Sequence, residues 1–434
     1  MTATVSRPSP DGSDASGAIR PTRIRPHQRQ ATVADRAARI VLGALLTRLR
    51  GGRLTVIEAD GTVREFGTPT DLDVTLRLHT PAVWREVTTR ASSGLGGSYI
   101  DGWWDTDDLT GLVKLAIRNL GPLDRIRTRW DAATGPIDDR VRRLRPASLE
   151  RDRRKVAAHY DLGNDFFELF LDPETMAYSS GLWDGVDDLA TAQQAKFDRL
   201  LDHLDLAPGD RLVEIGTGWG GLAERAARRG LRVTTCTISR EQHALASDRI
   251  AAAGLAHLVD VELLDYRELL AREGDGTFDG LVSVEMVEAV DWRDHAAYFS
   301  TCSRLLRPGG RMALQAITVP DDRYERAKTS NDFIKTYVFP GGSCLPSVGI
   351  IGENLARHTD LRLERVDHFG PDYARTLAVW NERLTARADE ADARGYDAAL
   401  RRLWEFYMGY CEAAFAEDYV SVVQAVAVKA GGAS

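Results

Sequence analysis

The sequence predicts an α/β protein: a doubly wound, mostly parallel sheet preceded by a smaller N-terminal α+β domain. Two observations carry that reading. From Val156 onward, short runs rich in Val, Ile and Leu alternate with helical patterns, the mark of βαβ units and of a parallel sheet covered on both faces. Ahead of them, the alternating stretch LTVIEADGTVREFG (54–67) reads as a hairpin around Asp60-Gly61 rather than as part of a parallel sheet.

Taken in order, residues 1–36 are rich in Pro, Ser, Gly and Arg and too poor in large apolar groups to offset the entropy of ordering, so a disordered tail is expected. Residues 37–120 hold a helical stretch RIVLGALLTRL (39–49), the hairpin, a strand VTLRLHT (74–80) and two further helical segments, together a small α+β domain. Residues 121–155 carry Pro and Gly punctuation and a surplus of positive charge. A solvated linker is the plain reading, and contact with an anionic membrane surface the functional one. In residues 156–434 the strand candidates are RLVEIG (211–216), RVTTCTI (232–238), DVELLD (260–265), FDGLVSVEM (278–286) and RMALQAI (311–317). Several are separated by helical patterns such as LAERAARR, REQHALASDRIAAA and HAAYFSTCSRLL.

The 434 residues, 43% hydrophobic, can bury a sizeable core. A net charge of −8 argues against nonspecific nucleic-acid binding, which normally needs a basic excess. Cys236, Cys302, Cys344 and Cys411 lie far apart with no CxxC, suggesting neither a disulfide framework nor a metal site, and a reducing cytoplasm fits best. No run of about 18 apolar residues occurs, so any membrane contact is expected to be peripheral.

The chemistry concentrates at EIGTGWGG (214–221), between an apolar strand and a helix. In an open α/β sheet ligands bind outside the carboxyl ends of the strands, where glycines let backbone approach closely. The spacing here is not the one suited to a pyrophosphate on a helix N-terminus. Glu214 would repel a pyrophosphate and suits a ligand with a cationic amino-acid end, as S-adenosylmethionine has.

The motifs HYDLGNDFFELFLDPETMAYSSGLW (159–183), AQQAKFDRL (192–200), VEIGTGWGGLA (213–223), TISREQ (237–242), SVEMVEAV (283–290), FIKTYVFPGG (333–342) and GPDYARTLAVW (370–380) stand in an order that resembles the cyclopropane-fatty-acid synthase family of S-adenosylmethionine-dependent methyltransferases. GGSYIDGWWDTDDLTGL (96–112) is similar to the lipid-binding N-terminal domain of its longer members, so the resemblance spans nearly all but the tail. It implies a class I, Rossmann-like methyltransferase fold. Tyr178 and Ser179 would then close over the cofactor and Gly216 and Gly218 lie under its methionyl part, with Glu214 and Gly220 also in the cofactor-binding turn. Thr237, Ile238 and Gln242 would take the ribose region and Asp265 and Tyr266 the adenine. Thr237 and Asp265 also follow the second and third strands, at the ligand edge, though taken alone such polar residues are more often turn formers.

The implied reaction is methyl transfer to the double bond of an unsaturated acyl chain of a membrane phospholipid, at the inner membrane surface. An alkene has no proton to remove beforehand, so the site must instead tolerate a carbocation, for which aromatic faces are suitable neighbours. Most of Tyr298, Phe299, Tyr337, Phe339, Tyr373, Trp380, Trp404, Phe406, Tyr407 and Tyr410 are expected to be core, and some to line an acyl pocket. The cation must then lose a proton. The resemblance implies a bound bicarbonate as base, held by Glu288, Gln315 and Tyr373 with the backbone of Ser180 and Ile317. Gln315 stands where many members have histidine, Ser180 where cysteine is frequent and Ala289 where histidine follows the glutamate. An amide can hold an anion but cannot relay a proton. A less effective base gives a hydride shift time to occur, which favours a methylene product that a separate reductase could convert to a methyl branch, over a cyclopropane. A homo-oligomer is compatible with the sequence. A small-molecule methyltransferase and a non-catalytic lipid-binding protein are the competing readings. The N-terminal domain speaks against the first, and the retained Glu288 and Tyr373 against the second.

Overall fold

The computed structural model describes residues 30–120, 163–339 and 344–431. The expected basic linker at 121–155 and most of the expected tail lie outside them. Helix α1 (Val33–Leu46) begins inside the stretch expected as tail. Its first turn is closed by a reciprocal capping box: Asp35 N donates to Thr32 Oγ1 at 3.2 Å and Thr32 N to Asp35 Oδ2 at 2.9 Å. That local bonding, invisible in bulk composition, moves the boundary ahead of 36.

The small domain continues with β1 (Arg53–Ile57), β2 (Val63–Gly67), β3 (Asp73–Leu78), α2 (Ala82–Ile100), β4 (Trp104–Thr106) and α3 (Leu109–Arg118). Its sheet runs β2-β1-β3-β4, with β1 and β3 parallel and the β1–β2 hairpin turning at Gly61, φ 84°. Buried and more exposed positions alternate along β1 and β3, as a sheet with one packed face requires.

The larger part holds α4 (Asn164–Phe167), α5 (Leu189–Leu204), β5 (Arg211–Ile215), α6 (Gly221–Arg228), β6 (Arg232–Thr237), α7 (Arg240–Ala252), β7 (Val259–Leu263), α8 (Tyr266–Glu273), β8 (Phe278–Val284), α9 (His295–Leu305), β9 (Leu306–Thr318), α10 (Asp321–Thr329), α11 (Val348–His358), β10 (Leu361–His368), α12 (Gly370–Ala386), α13 (Ala388–Ala393), α14 (Ala398–Ala416) and β11 (Ser421–Lys429). The sheet order is β10-β11-β9-β8-β5-β6-β7. The neighbours from β9 to β7 run parallel, and β11 runs antiparallel to both β9 and β10. From β5 the chain winds outward through β6 and β7, then crosses back to β8 on the other side. That reversal opens a crevice at the carboxyl end of β5, where open α/β sheets bind ligands.

The two parts share one continuous core. Val56, Trp84 and Trp104 of the small domain pack in the same cluster as Phe166, Trp380 and Trp404 of the larger. Arg402 of α14 reinforces the join, donating to Tyr99 O at 2.6 Å and Trp104 O at 2.9 Å. Trp380, Trp404, Tyr298, Phe299 and Phe406 are fully buried, whereas Phe339, Tyr373, Tyr407 and Tyr410 border a cavity, the mixed outcome expected of the aromatic residues.

Candidate active site

Beyond β5 the backbone turns through Gly216, Gly218 and Gly220 at φ 98°, 53° and 85°, left-handed conformations that glycine adopts at no steric cost. They serve two purposes. A Cβ on Gly220 would sit 3.0 Å from Ala246 Cβ, so that glycine admits α7 behind the turn. A Cβ on Gly218 would meet nothing within 4 Å and would project into open space. That space is a cavity of 1480 Å³ bordered by Glu214, Gly216, Gly218, Thr237, Ile238 and Gln242, and further round by Asp265, Tyr266, Tyr178 and Ser179. Of the expected cofactor residues, Gly220 alone lies outside its lining.

Glu214 is 3% exposed and accepts from Thr235 Oγ1 at 2.6 Å, and Thr217 and Thr235 share a hydroxyl–hydroxyl bond of 2.7 Å. Burial pushes its carboxyl up to about 8, against the hydrogen bond from Thr235. An incoming ammonium group would reverse that preference. The cradle and its carboxylate therefore fit the amino-acid end of S-adenosylmethionine. Thr237 Oγ1 donates to Gln242 Oε1 at 2.8 Å, fixing the pair at the start of α7. Asp265 caps α8 and holds Arg267 through both oxygens, at 2.8 and 2.9 Å, so its carboxylate is occupied within the chain. Tyr178 stacks on Trp380 with centroids 5.3 Å apart, and its hydroxyl bonds that of Tyr407 at 3.1 Å. Ser179 Oγ accepts from the fully buried Lys196 at 2.6 Å.

The second cluster departs from expectation. Gln315, Tyr373 and the backbone N–H of Ser180 do converge, but on the side chain of Glu285. Ser180 N and Gln315 Nε2 donate to Glu285 Oε1 at 3.0 and 2.8 Å, and Tyr373 Oη donates to Oε2 at 2.7 Å. Ser180 uses its N–H here, and its carbonyl accepts from Gln315 at 3.3 Å. Glu288 borders the same cavity but takes none of these three donors. Its Oε1 accepts from Ile317 N at 2.5 Å while Oε2 is buried with no partner among the described residues. Burial and the neighbouring charge of Glu285 push Glu288 up to about 8. The donors expected around bicarbonate are thus engaged by a carboxylate of the chain itself, and a second anion beside it would be repelled. Bicarbonate does not fit this arrangement.

Glu285 was missed because SVEMVEAV offers two carboxylates three residues apart, and the resemblance pointed to the second. Its position directly after an apolar strand, at the ligand edge, was the available signal. Lys196 and Gln424, fully buried polar groups behind the cluster, gave none.

Fold and cradle together define a class I, S-adenosylmethionine-dependent methyltransferase. The chain belongs to the mycolic acid cyclopropane synthetase family, whose model matches residues 147–425. It is 38% identical over 388 residues to the tuberculostearic acid methyltransferase UfaA1 of Mycobacterium tuberculosis, covering 87% of this chain and 88% of that protein. It is 34% identical over 355 residues to the cyclopropane-fatty-acyl-phospholipid synthase of Escherichia coli, covering 81% and 87%. Among solved structures, mycolic acid cyclopropane synthase CmaA1 complexed with SAH and CTAB matches with a TM-score of 0.58 at 31% identity, covering 66% of this chain and 100% of that one.

Proposed function

We propose that the protein transfers the methyl group of S-adenosylmethionine to the double bond of an unsaturated acyl chain carried by a membrane phospholipid, forming a methylene-bearing chain. The observation that carries this reading is the continuity of the cavity. It reaches from Gly216 and Gly218 past Glu285 and Tyr373 to Leu42 and Leu45 of α1 and Val113 and Ile117 of α3. A small soluble substrate has no use for apolar walls supplied by a second domain, whereas a long acyl chain does. Arg90 and Arg323 border the same cavity and suit a phosphate.

Under this reading the π electrons of the alkene form the new carbon–carbon bond as the methyl–sulfur bond breaks, its pair remaining on sulfur. The resulting cation lies among Tyr373, Tyr407 and Phe415, whose faces can stabilise it without acting as nucleophiles. Similarity to a tuberculostearic acid methyltransferase along 88% of its length supports the methylene outcome, which a separate reductase would consume. The 34% identity to a cyclopropane-forming relative keeps ring closure as the second reading. No helix among the described residues is long and apolar enough to cross a membrane. Exposed apolar side chains on α1, Ile40 at 70% and Val41 at 49%, support docking through that helix. Incubation with S-adenosylmethionine and unsaturated phospholipid vesicles, followed by mass analysis of the released chains, tests the reading. A gain of one carbon per acyl chain is expected, and unaltered chains would contradict it.

A further inference from the structure

We propose that Glu285 is itself the proton acceptor of the reaction, a carboxylate built into the chain in the position that the family resemblance gives to bicarbonate. The inference rests on the methyl-transfer reading and on three independent observations.

The first is the donor count. A carboxylate has about four lone-pair sites. Ser180 N and Gln315 Nε2 take two at Oε1 and Tyr373 takes one at Oε2, leaving one on Oε2. Glu285 and Tyr373 border the cavity, while Ser180 and Gln315 lie fully buried behind them. The remaining site can therefore meet an acyl chain in that cavity.

The second is how the donors are held. The Gln315 amide is oriented by Gln424, whose Nε2 donates to Gln315 Oε1 at 3.0 Å, and Gln424 is oriented by Arg199 Nε, donating to its Oε1 at 2.6 Å. This chain of bonds turns the NH2 of Gln315, rather than its oxygen, toward Glu285. Burial raises the pKa of the Glu285 carboxyl, against the pull of Gln315, of the charge of Lys196 buried nearby, and of Ser180 and Tyr373.

The third is backbone strain. Glu285 sits at φ 51°, a left-handed conformation that strains a residue with a side chain and that glycine adopts freely. A non-glycine residue held there, with three donors trained on its carboxylate, points to a use for that carboxylate.

The step balances without a further reactant. A C–H bond of the transferred methyl breaks and its proton goes to Glu285 Oε2. If the freed pair bonds to the first-formed cationic carbon the ring closes; if a hydride has first shifted from the methylated carbon to its cationic neighbour, the pair becomes the second bond of the methylene.

The test uses the full chain in carbonate-free buffer. Wild-type turnover should change less than about two-fold when bicarbonate is added, because the anion has no vacant donors. Glu285→Gly relieves the strain and so should fold. It should lose about a hundred-fold or more in turnover with S-adenosylmethionine affinity unchanged by calorimetry, and added bicarbonate should restore part of the loss by occupying the freed donors. Glu285→Gln, which fills the space without a basic oxygen, should stay inactive with or without bicarbonate. Wild-type turnover that collapses on removing bicarbonate, or Glu285→Gly active in its absence, would overturn the proposal. A wild type that never methylates vesicles would instead overturn the methyl-transfer reading.

Discussion

Tyr373 and Glu285 lie on different elements, α12 and the turn after β8, and meet through a 2.7 Å hydrogen bond from phenol to carboxylate. The tyrosine ring is fixed by stacking on Phe415, with centroids 4.4 Å apart, so the hydroxyl is delivered to a set position. Burial and the charge of Glu285 hold the phenol well above its ordinary range, which keeps it a donor throughout the working pH.

Tyr373→Phe should therefore reduce kcat by about 10- to 100-fold, the worth of one hydrogen bond to a charged group, and leave the Kd for S-adenosylmethionine unchanged. Steady-state kinetics with calorimetry checks it. A parallel loss of cofactor affinity would place the tyrosine in the wrong part of the site.

Gly218→Val should abolish cofactor binding in a folded protein. At φ 53° a β-branched residue is strained, and its side chain would enter the cavity the cofactor needs. Retained calorimetric affinity together with an unaltered circular dichroism spectrum would refute the assignment of this turn.

Glu288 sets a pH dependence of stability. Its folded value, about 8, exceeds the ordinary 4.5. Between those values the folded state keeps a proton the unfolded chain has lost, so stability falls as pH rises, by at most about 1.4 kcal/mol per pH unit. Glu288→Gln keeps an acceptor for Ile317 N and removes that slope. Its Tm should match wild type near the bottom of the window and exceed it increasingly toward the top. Parallel Tm profiles would contradict the shift.

Ile40→Asp alters an exposed side chain of α1 and should leave the fold intact. It should weaken sedimentation with vesicles and slow turnover on them, while turnover on the same lipid in detergent micelles stays near wild type. Equal losses in both would remove α1 from membrane docking.

The central sheet was legible because its strands are short apolar runs separated by helical patterns, whereas their spatial order, with β8 beside β5 on the side away from β6, is a matter of tertiary packing that the alternation does not give. The glycine cradle was legible for the same reason, since Gly216 and Gly218 punctuate a strand–helix junction. The proton-accepting cluster was not. Glu285 reaches Tyr373 across 88 residues of chain and Ser180 across 105, and its place directly after β8 is the one local feature that sets it apart from Glu288. The start of α1 was missed because a capping box at Thr32 and Asp35 is a matter of two side chains within a tail-like composition.

Methyl transfer with loss of a proton from the transferred group is tested most directly by supplying S-adenosylmethionine trideuterated at the methyl, with vesicles of an unsaturated phospholipid, and weighing the released acyl chains. The proposed chemistry forms one carbon–carbon bond and breaks one carbon–deuterium bond. Each product chain should therefore carry a single added carbon bearing two deuteriums. Chains that retain all three deuteriums, or label confined to the headgroup, would contradict it.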